Sequence, residues 1–212
     1  MVKVWDGFIR AFHWSQLLLL AGCWWTAEEG EMVWHQWLAM TLLALWGARL
    51  YWGLFGSESA RFASFLKKPG EVWAFAKALV KGQSSPKAGH NPLGGWMVAL
   101  MLLCIGLQMA TGLFASDEIF TEGPLYSWVS SDTADLLTRL HHLNFNLLLG
   151  LIALHLLALV VHSLKGERLV PAMVTGRNKT LAQGPALKAS WPAWLVFALL
   201  WGLLYWGWGS GL

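Results

Sequence analysis

Residues 137–162 read LTRLHHLNFNLLLGLIALHLLALVVH. The run is predominantly apolar from residue 140 to 164, longer than the about 20 residues that the hydrocarbon core of a bilayer requires of a helix. His141 and His155 are fourteen residues apart. At 100° and 1.5 Å per residue, that spacing returns to nearly the same helix face about 21 Å further along. One face therefore offers two imidazoles at two depths. Ionisable groups within a membrane helix are costly and mark a functional path.

Working outward, four more apolar runs fall near residues 8–27, 32–54, 92–115 and 191–208, and with 140–164 they predict five transmembrane helices. Composition agrees: 56% of the 212 residues are hydrophobic and 13% charged, too little polar surface for a water-soluble domain of this size. The expected fold is all-α and integral to the membrane, and lipid is its solvent. Trp34, Trp37 and Trp191 stand at segment ends, where indole rings anchor helices at headgroup level. A net charge of +3 does not indicate nucleic acid, because the basic residues lie in loops rather than on one soluble face. Cys23 and Cys104 fall inside apolar runs without a CxxC or CxxCH pattern, which excludes a zinc knuckle and covalently attached haem. A secretory signal at the start is disfavoured by His13 inside the run and by Trp24, Trp25 and Thr26 where cleavage would occur.

Loop charges predict the orientation. Lys3 and Arg10, then Arg61, Lys67, Lys68, Lys77, Lys81 and Lys87, then Lys165, Arg168, Arg177, Lys179 and Lys188 lie at one set of ends. Glu28, Glu29, Glu31, Asp117, Glu118, Glu122, Asp132 and Asp135 lie at the other, with Arg139 the lone cation. The basic ends are expected in the cytoplasm of a bacterial inner membrane, so the N-terminus is inside and the C-terminus outside. Residues 70–81 carry a spacing suited to a short interfacial helix, and residues 125–137 to a similar short outer element.

The remaining histidines complete two levels. His13 lies early in the first span, level with His155, and His35 opens the second, level with His141. Two facing imidazoles at each depth are what a pair of non-covalent haem irons requires as axial ligands. The pairs read from depth are His13 with His155 and His35 with His141. His142 competes with His141, since thirteen residues is also a usable spacing, although its direction differs by about 100°. His162, seven residues beyond His155, is a candidate for a haem propionate or a quinone, or simply an interfacial polar group. A haem-free transporter could also use intramembrane histidines. Metal transport would favour mixed acidic or thiolate ligands, and the spans hold no Asp or Glu near their centres.

VWDGFIRAFHW (4–14), HQWLAMTLLALWGARLYWG (35–53), GHNPLGGWM (89–97) and the stretch quoted first together resemble bacterial di-haem cytochrome b561 and the related b-type cytochrome subunits of nickel–iron hydrogenases and formate dehydrogenases. The resemblance covers about residues 4–178. It implies a transmembrane four-helix haem-binding bundle over 1–178, two haems b ligated by His13, His35, His141 and His155, and a separate linker and fifth helix over 179–212. It also implies that Arg10 and Arg49 pair haem propionates, with positive-inside anchoring as the alternative. GHNPLGGWM is similar to the opening of the third helix in relatives that react with quinone, which makes His90 and Asn91 candidate quinone contacts. Asn91 before Pro92 reads equally as a helix cap. Gly94, Gly95, Gly106, Gly112 and Gly150 are expected at close helix or macrocycle approaches.

The function this implies is electron transfer across the bilayer between the quinone pool and a redox partner, such as a basic c-type cytochrome docking on the acidic outer loops. The chain would serve as an electron-transfer cytochrome or as a subunit of a quinone-linked oxidoreductase, with no catalytic residue of its own singled out. A stand-alone superoxide:quinone oxidoreductase is the alternative within the same family. The sequence leaves homo-oligomerisation open.

Overall fold

The computed structural model describes residues 1–81, 89–117, 119–178 and 182–211; Lys87, Glu118 and Lys179 of the charge pattern lie outside them. Helix α1 (Gly7–Glu28) starts where Asp6, in extended conformation, accepts a hydrogen bond from the Ile9 amide at 2.9 Å. Gly30 adopts φ 72°, a left-handed turn that glycine makes without steric cost, and the chain reverses into α2 (Met32–Phe55). Two short helices, α3 (Phe62–Phe65) and α4 (Pro69–Val80), follow at the basic end. The second is a helix where a short one was expected over 70–81.

Helix α5 (Pro92–Gly112) opens with the Asn91 side chain accepting from the Gly94 amide at 2.7 Å and Pro92 in the first turn. Helix α6 spans Ser131–Leu164, 34 residues. The short outer element expected over 125–137 is thereby corrected. Only Tyr126–Trp128 forms a separate 3-10 turn, and residues from 131 onward are continuous with the long helix. Ser130 caps that helix by accepting from Thr133, and no Pro or Gly interrupts residues 131–149. After α7 (Leu169–Thr175), α8 runs from Trp191 to Gly207.

By length and apolarity, α2, α5 and α6 can each cross a membrane. Helix α1 has the length but carries Arg10, His13, Ser15 and Gln16 in its first half, and α8 has 17 residues. Five crossings were expected; three helices meet the measure, and α1 and α8 both pack on α2. Helix α8 runs antiparallel to α2: Trp201 Nε1 donates to Thr41 Oγ1 at 3.2 Å, and Tyr205 lies 5.9 Å from Trp37.

Helices α5 and α6 pack along one another, whereas α6 has no extended packing against α1 or α2. A middle layer nevertheless joins all four: Leu20 of α1, Leu42 of α2, Cys104 and Ile105 of α5, and Leu148 and Leu151 of α6. Leu143, Leu147, Leu154 and Leu157 of α6 are exposed. In lipid such exposure costs nothing, so dispersion and polar bonds hold the helices instead. Trp46 Nε1 donating to the Leu102 carbonyl at 2.9 Å is one such bond between α2 and α5. The start of the chain is tied down at the basic end, where β1 (Val2–Lys3) pairs antiparallel with β2 (Arg177–Asn178) in the segment between α7 and α8. The segment leading to α8 is held by Glu58, whose amide donates to Ala186 O at 2.9 Å and whose carboxylate accepts from Ala186 N at 2.8 Å.

Candidate functional site

The histidines meet in pairs. The rings of His13 on α1 and His155 on α6 have centroids 6.5 Å apart, and those of His35 on α2 and His141 on α6 are also 6.5 Å apart. Among the described residues no three His, Cys, Asp or Glu side chains converge as a metal cluster would require. Leu20, Leu42 and Leu148 each lie seven residues from a paired histidine, so the middle apolar layer separates the two pairs.

The acidic-end pair is held by backbone carbonyls. His35 Nδ1 is 2.8 Å from Cys23 O, and His141 Nδ1 is 3.0 Å from Gln108 O and 3.2 Å from Thr111 Oγ1. An imidazole whose Nδ1–H is bound in this way presents Nε2, with its lone pair, to a metal. Gln108 is itself held by Asn144 Nδ2 at 2.7 Å. Gly112 lies so close that a Cβ there would stand 2.9 Å from His141 Cε1.

The basic-end pair has the opposite character. Buried side-chain atoms without a hydrogen-bond partner among the described residues are Arg10 Nε, His13 Nδ1, Gln16 Oε1, Arg49 Nη1, Ser59 Oγ and His90 Nδ1. None belongs to the other pair. Arg49 is 3% exposed and lies over the Phe12 and Phe62 rings at 5.9 and 5.2 Å. An orphaned buried guanidinium nitrogen is costly unless an anion completes it.

These observations fit haem. Two axial imidazoles with metal–nitrogen bonds of about 2 Å, each ring centre roughly 1 Å beyond its nitrogen, bring the centroids to about 6 Å. The unpartnered Arg49 nitrogen, over the Phe12 ring next to His13, suits a propionate. His142, the competitor of His141, is exposed and has its ring centroid 6.1 Å from that of His141. His162 Nδ1 pairs with Glu167 Oε2 at 2.9 Å. Asn91 Oδ1 is engaged in the α5 cap, while His90 lies between the Trp5 and Phe65 rings, 4.8 Å from each. Burial first, then the Arg49 guanidinium and the His155 imidazole, push the His90 pKa down to about 3, so the ring is neutral.

Of the expected glycine approaches, Gly95, Gly106 and Gly112 are tight: a Cβ would lie 2.6 Å from Phe65 O, 2.6 Å from Trp46 Cζ2 and 2.9 Å from His141 Cε1, respectively. Gly150 faces open space. Sequence reading missed Gln108, Thr111 and Asn144, whose signal was only that they are polar in apolar runs. It also missed the Cys23 carbonyl, which has no side-chain signal. Asp6 was missed too; it caps α1 and accepts from Trp52 Nε1 at 2.9 Å.

Comparison with curated proteins and with solved structures gives no match. A family model described as prokaryotic cytochrome b561 matches residues 4–176, a stretch that contains both histidine pairs, and the chain therefore belongs to the prokaryotic cytochrome b561 family.

Proposed function

We propose that this membrane b-type cytochrome binds two haems, one between His13 and His155 and one between His35 and His141, and relays electrons across the bilayer between a quinone and a redox partner protein. The observation that carries this reading is the pair of facing imidazoles, each 6.5 Å between centroids, at two levels of one helix. Haem b supplies reversible one-electron iron chemistry tuned by its ligands and surroundings. The Cys23 and Gln108 carbonyls orient the acidic-end imidazoles, and Arg49 neutralises a propionate at the basic end. The apolar layer around Leu148 excludes water between the two levels.

A quinone contact is supported at the basic end. Ser59 Oγ and His90 Nδ1, both buried and unpartnered, border one cavity of about 210 Å³. The capping bond of Asn91 leaves His90 and Ser59 as the polar pair for a quinone carbonyl. At the other end Glu28, Glu29, Glu31, Glu122 and Asp132 are exposed, a surface suited to a basic partner such as a c-type cytochrome. We orient the basic end to the cytoplasm.

The test is a dithionite-reduced minus oxidised spectrum of the purified protein with pyridine haemochrome quantification. Two haems b per chain with a sharp low-spin α band are expected, falling to one in His155→Ala. No haem in a folded preparation would discard the relay and favour a transporter; two haems retained in His155→Ala would discard the pairing.

A further inference from the structure

A second polar site lies at the basic end, around the start of α1. A cavity of about 420 Å³ is bordered by four cationic residues, Lys3, Arg10, Arg177 and Lys188. Among the described residues no carboxylate lies in ion-pair range of any of them. Asp6 also borders the cavity, but its carboxylate oxygens are engaged by Ile9 N and Trp52 Nε1, and the residue is 5% exposed.

Three further features make this a built site. Lys3 and Arg177 are direct partners across the β1–β2 ladder, an arrangement that is destabilising for like charges unless something negative lies beside them. Arg10 Nη1 donates to Val174 O at 2.9 Å, which holds the guanidinium in place, while its buried Nε has no partner. Gly176, at φ 75°, brings the chain so near that a Cβ would lie 3.1 Å from that Nε. The positive end of the α1 dipole adds to the same field.

Position points to the ligand. The cavity adjoins the first turns of α1 and α8, where Trp191 is exposed as an interfacial anchor would be. Below Arg10, Trp14, Leu17 and Leu18 form an exposed apolar strip on α1, at four, seven and eight residues' spacing. A phosphate in the cavity and an acyl chain on that strip together describe one molecule.

We propose that Lys3, Arg10, Arg177 and Lys188 form a phosphate-binding pocket that takes the headgroup of an anionic phospholipid. The site is separate from both histidine pairs and does not depend on the haem reading. The test uses haem-loaded protein in nanodiscs of phosphatidylcholine with and without phosphatidylglycerol, and measures thermal stability and retained lipid by native mass spectrometry. A stabilising shift and retained phosphatidylglycerol are expected for the wild type. Lys3→Gln/Arg177→Gln should bind on the order of tenfold more weakly, since each cation near headgroup level contributes a few-fold, with haem content unchanged. Arg177→Gln alone should fall between, which guards against a folding defect of the double variant. Displacement by millimolar inorganic phosphate, without any effect of phosphatidylglycerol, would keep the pocket and assign it to the free anion. Equal lipid retention by variant and wild type would overturn the proposal. Loss of haem in the variant would do so too, by returning the pocket to the propionates.

Discussion

A partner on its second nitrogen steadies an imidazole and tunes it as a ligand, and the two histidine pairs of this bundle differ in that respect. His141 Nδ1 is shared by Gln108 O and Thr111 Oγ1 at 3.0 and 3.2 Å. The Thr111 hydroxyl donates to Leu107 O at 2.7 Å, so toward His141 it accepts. An acceptor on Nδ1–H raises the ring's electron donation to iron. Thr111→Val should therefore raise the midpoint potential of one haem and leave the other unmoved, as read by redox titration; a shift of both or neither would remove Thr111 from the ligand's support. His13 Nδ1 has no such bond among the described residues, so the two histidine pairs are unlike in their support. The choice between His141 and His142 was open in the sequence because both spacings serve. The structure sets His141 opposite His35 and bonds it to a carbonyl of α5, a feature that carries no residue-type signal.

Asp117 shows the same logic in a loop. Its Oδ1 accepts from the Ile119, Phe120 and Thr121 amides at 2.9, 2.9 and 2.8 Å. Those bonds, the Thr121 amide first, hold the carboxyl pKa down to about 2. A depressed acid contributes order that is fully present above its unfolded pKa near 4 and is lost as pH falls through the folded value. Protection of these amides from exchange should thus hold at neutral pH and fade between about pH 4 and 2, whereas Asp117→Ala should leave them open throughout.

At the scale of the element, the register of helices was legible because a period of 3.6 and a run of about 20 apolar residues are properties of local sequence. Helices α2 and α5 begin within a residue of their expected starts, and α6 differs because nothing between Ser131 and Leu140 stops a capped helix from continuing. The β1–β2 pair and the ties of Glu58 to Ala186 were not legible, since they join residues far apart through backbone groups. Asp6 belongs to this scale as well. It supplies the first-turn bond of α1 and receives the indole of Trp52, itself 2% exposed, so one side chain fixes α1 to α2. Asp6→Ala removes a cap worth about 1 kcal/mol and strands a buried donor at a cost of about 1–3 kcal/mol. A loss of roughly 2–4 kcal/mol is expected in denaturant titrations in detergent, while Asp6→Asn, whose one amide oxygen can keep one of the two bonds, should lose less.

For the molecule as a whole, direction is the property on which function turns. His141 and His155 lie about 21 Å apart along α6, and a relay between them would carry electrons toward a partner only if the ends face different compartments. The loops supply that asymmetry: cations cluster where α2 ends and α5 begins, and carboxylates cluster around the α1–α2 turn and the start of α6. Because Cys23 and Cys104 are both buried, single cysteines introduced on a native background report their own exposure. With the proposed orientation, Ser210→Cys, beyond α8 at the acidic end, should react with a membrane-impermeant maleimide added to intact cells, and Lys77→Cys in α4 should react only after the membrane is opened. Labelling in the reverse order would invert the protein, put the Ser59–His90 cavity outside and the acidic surface in the cytoplasm, and so exchange the sides on which quinone and partner protein are sought. The histidine pairs would survive that result, since their geometry is internal to the bundle; the proposed course of electrons would not.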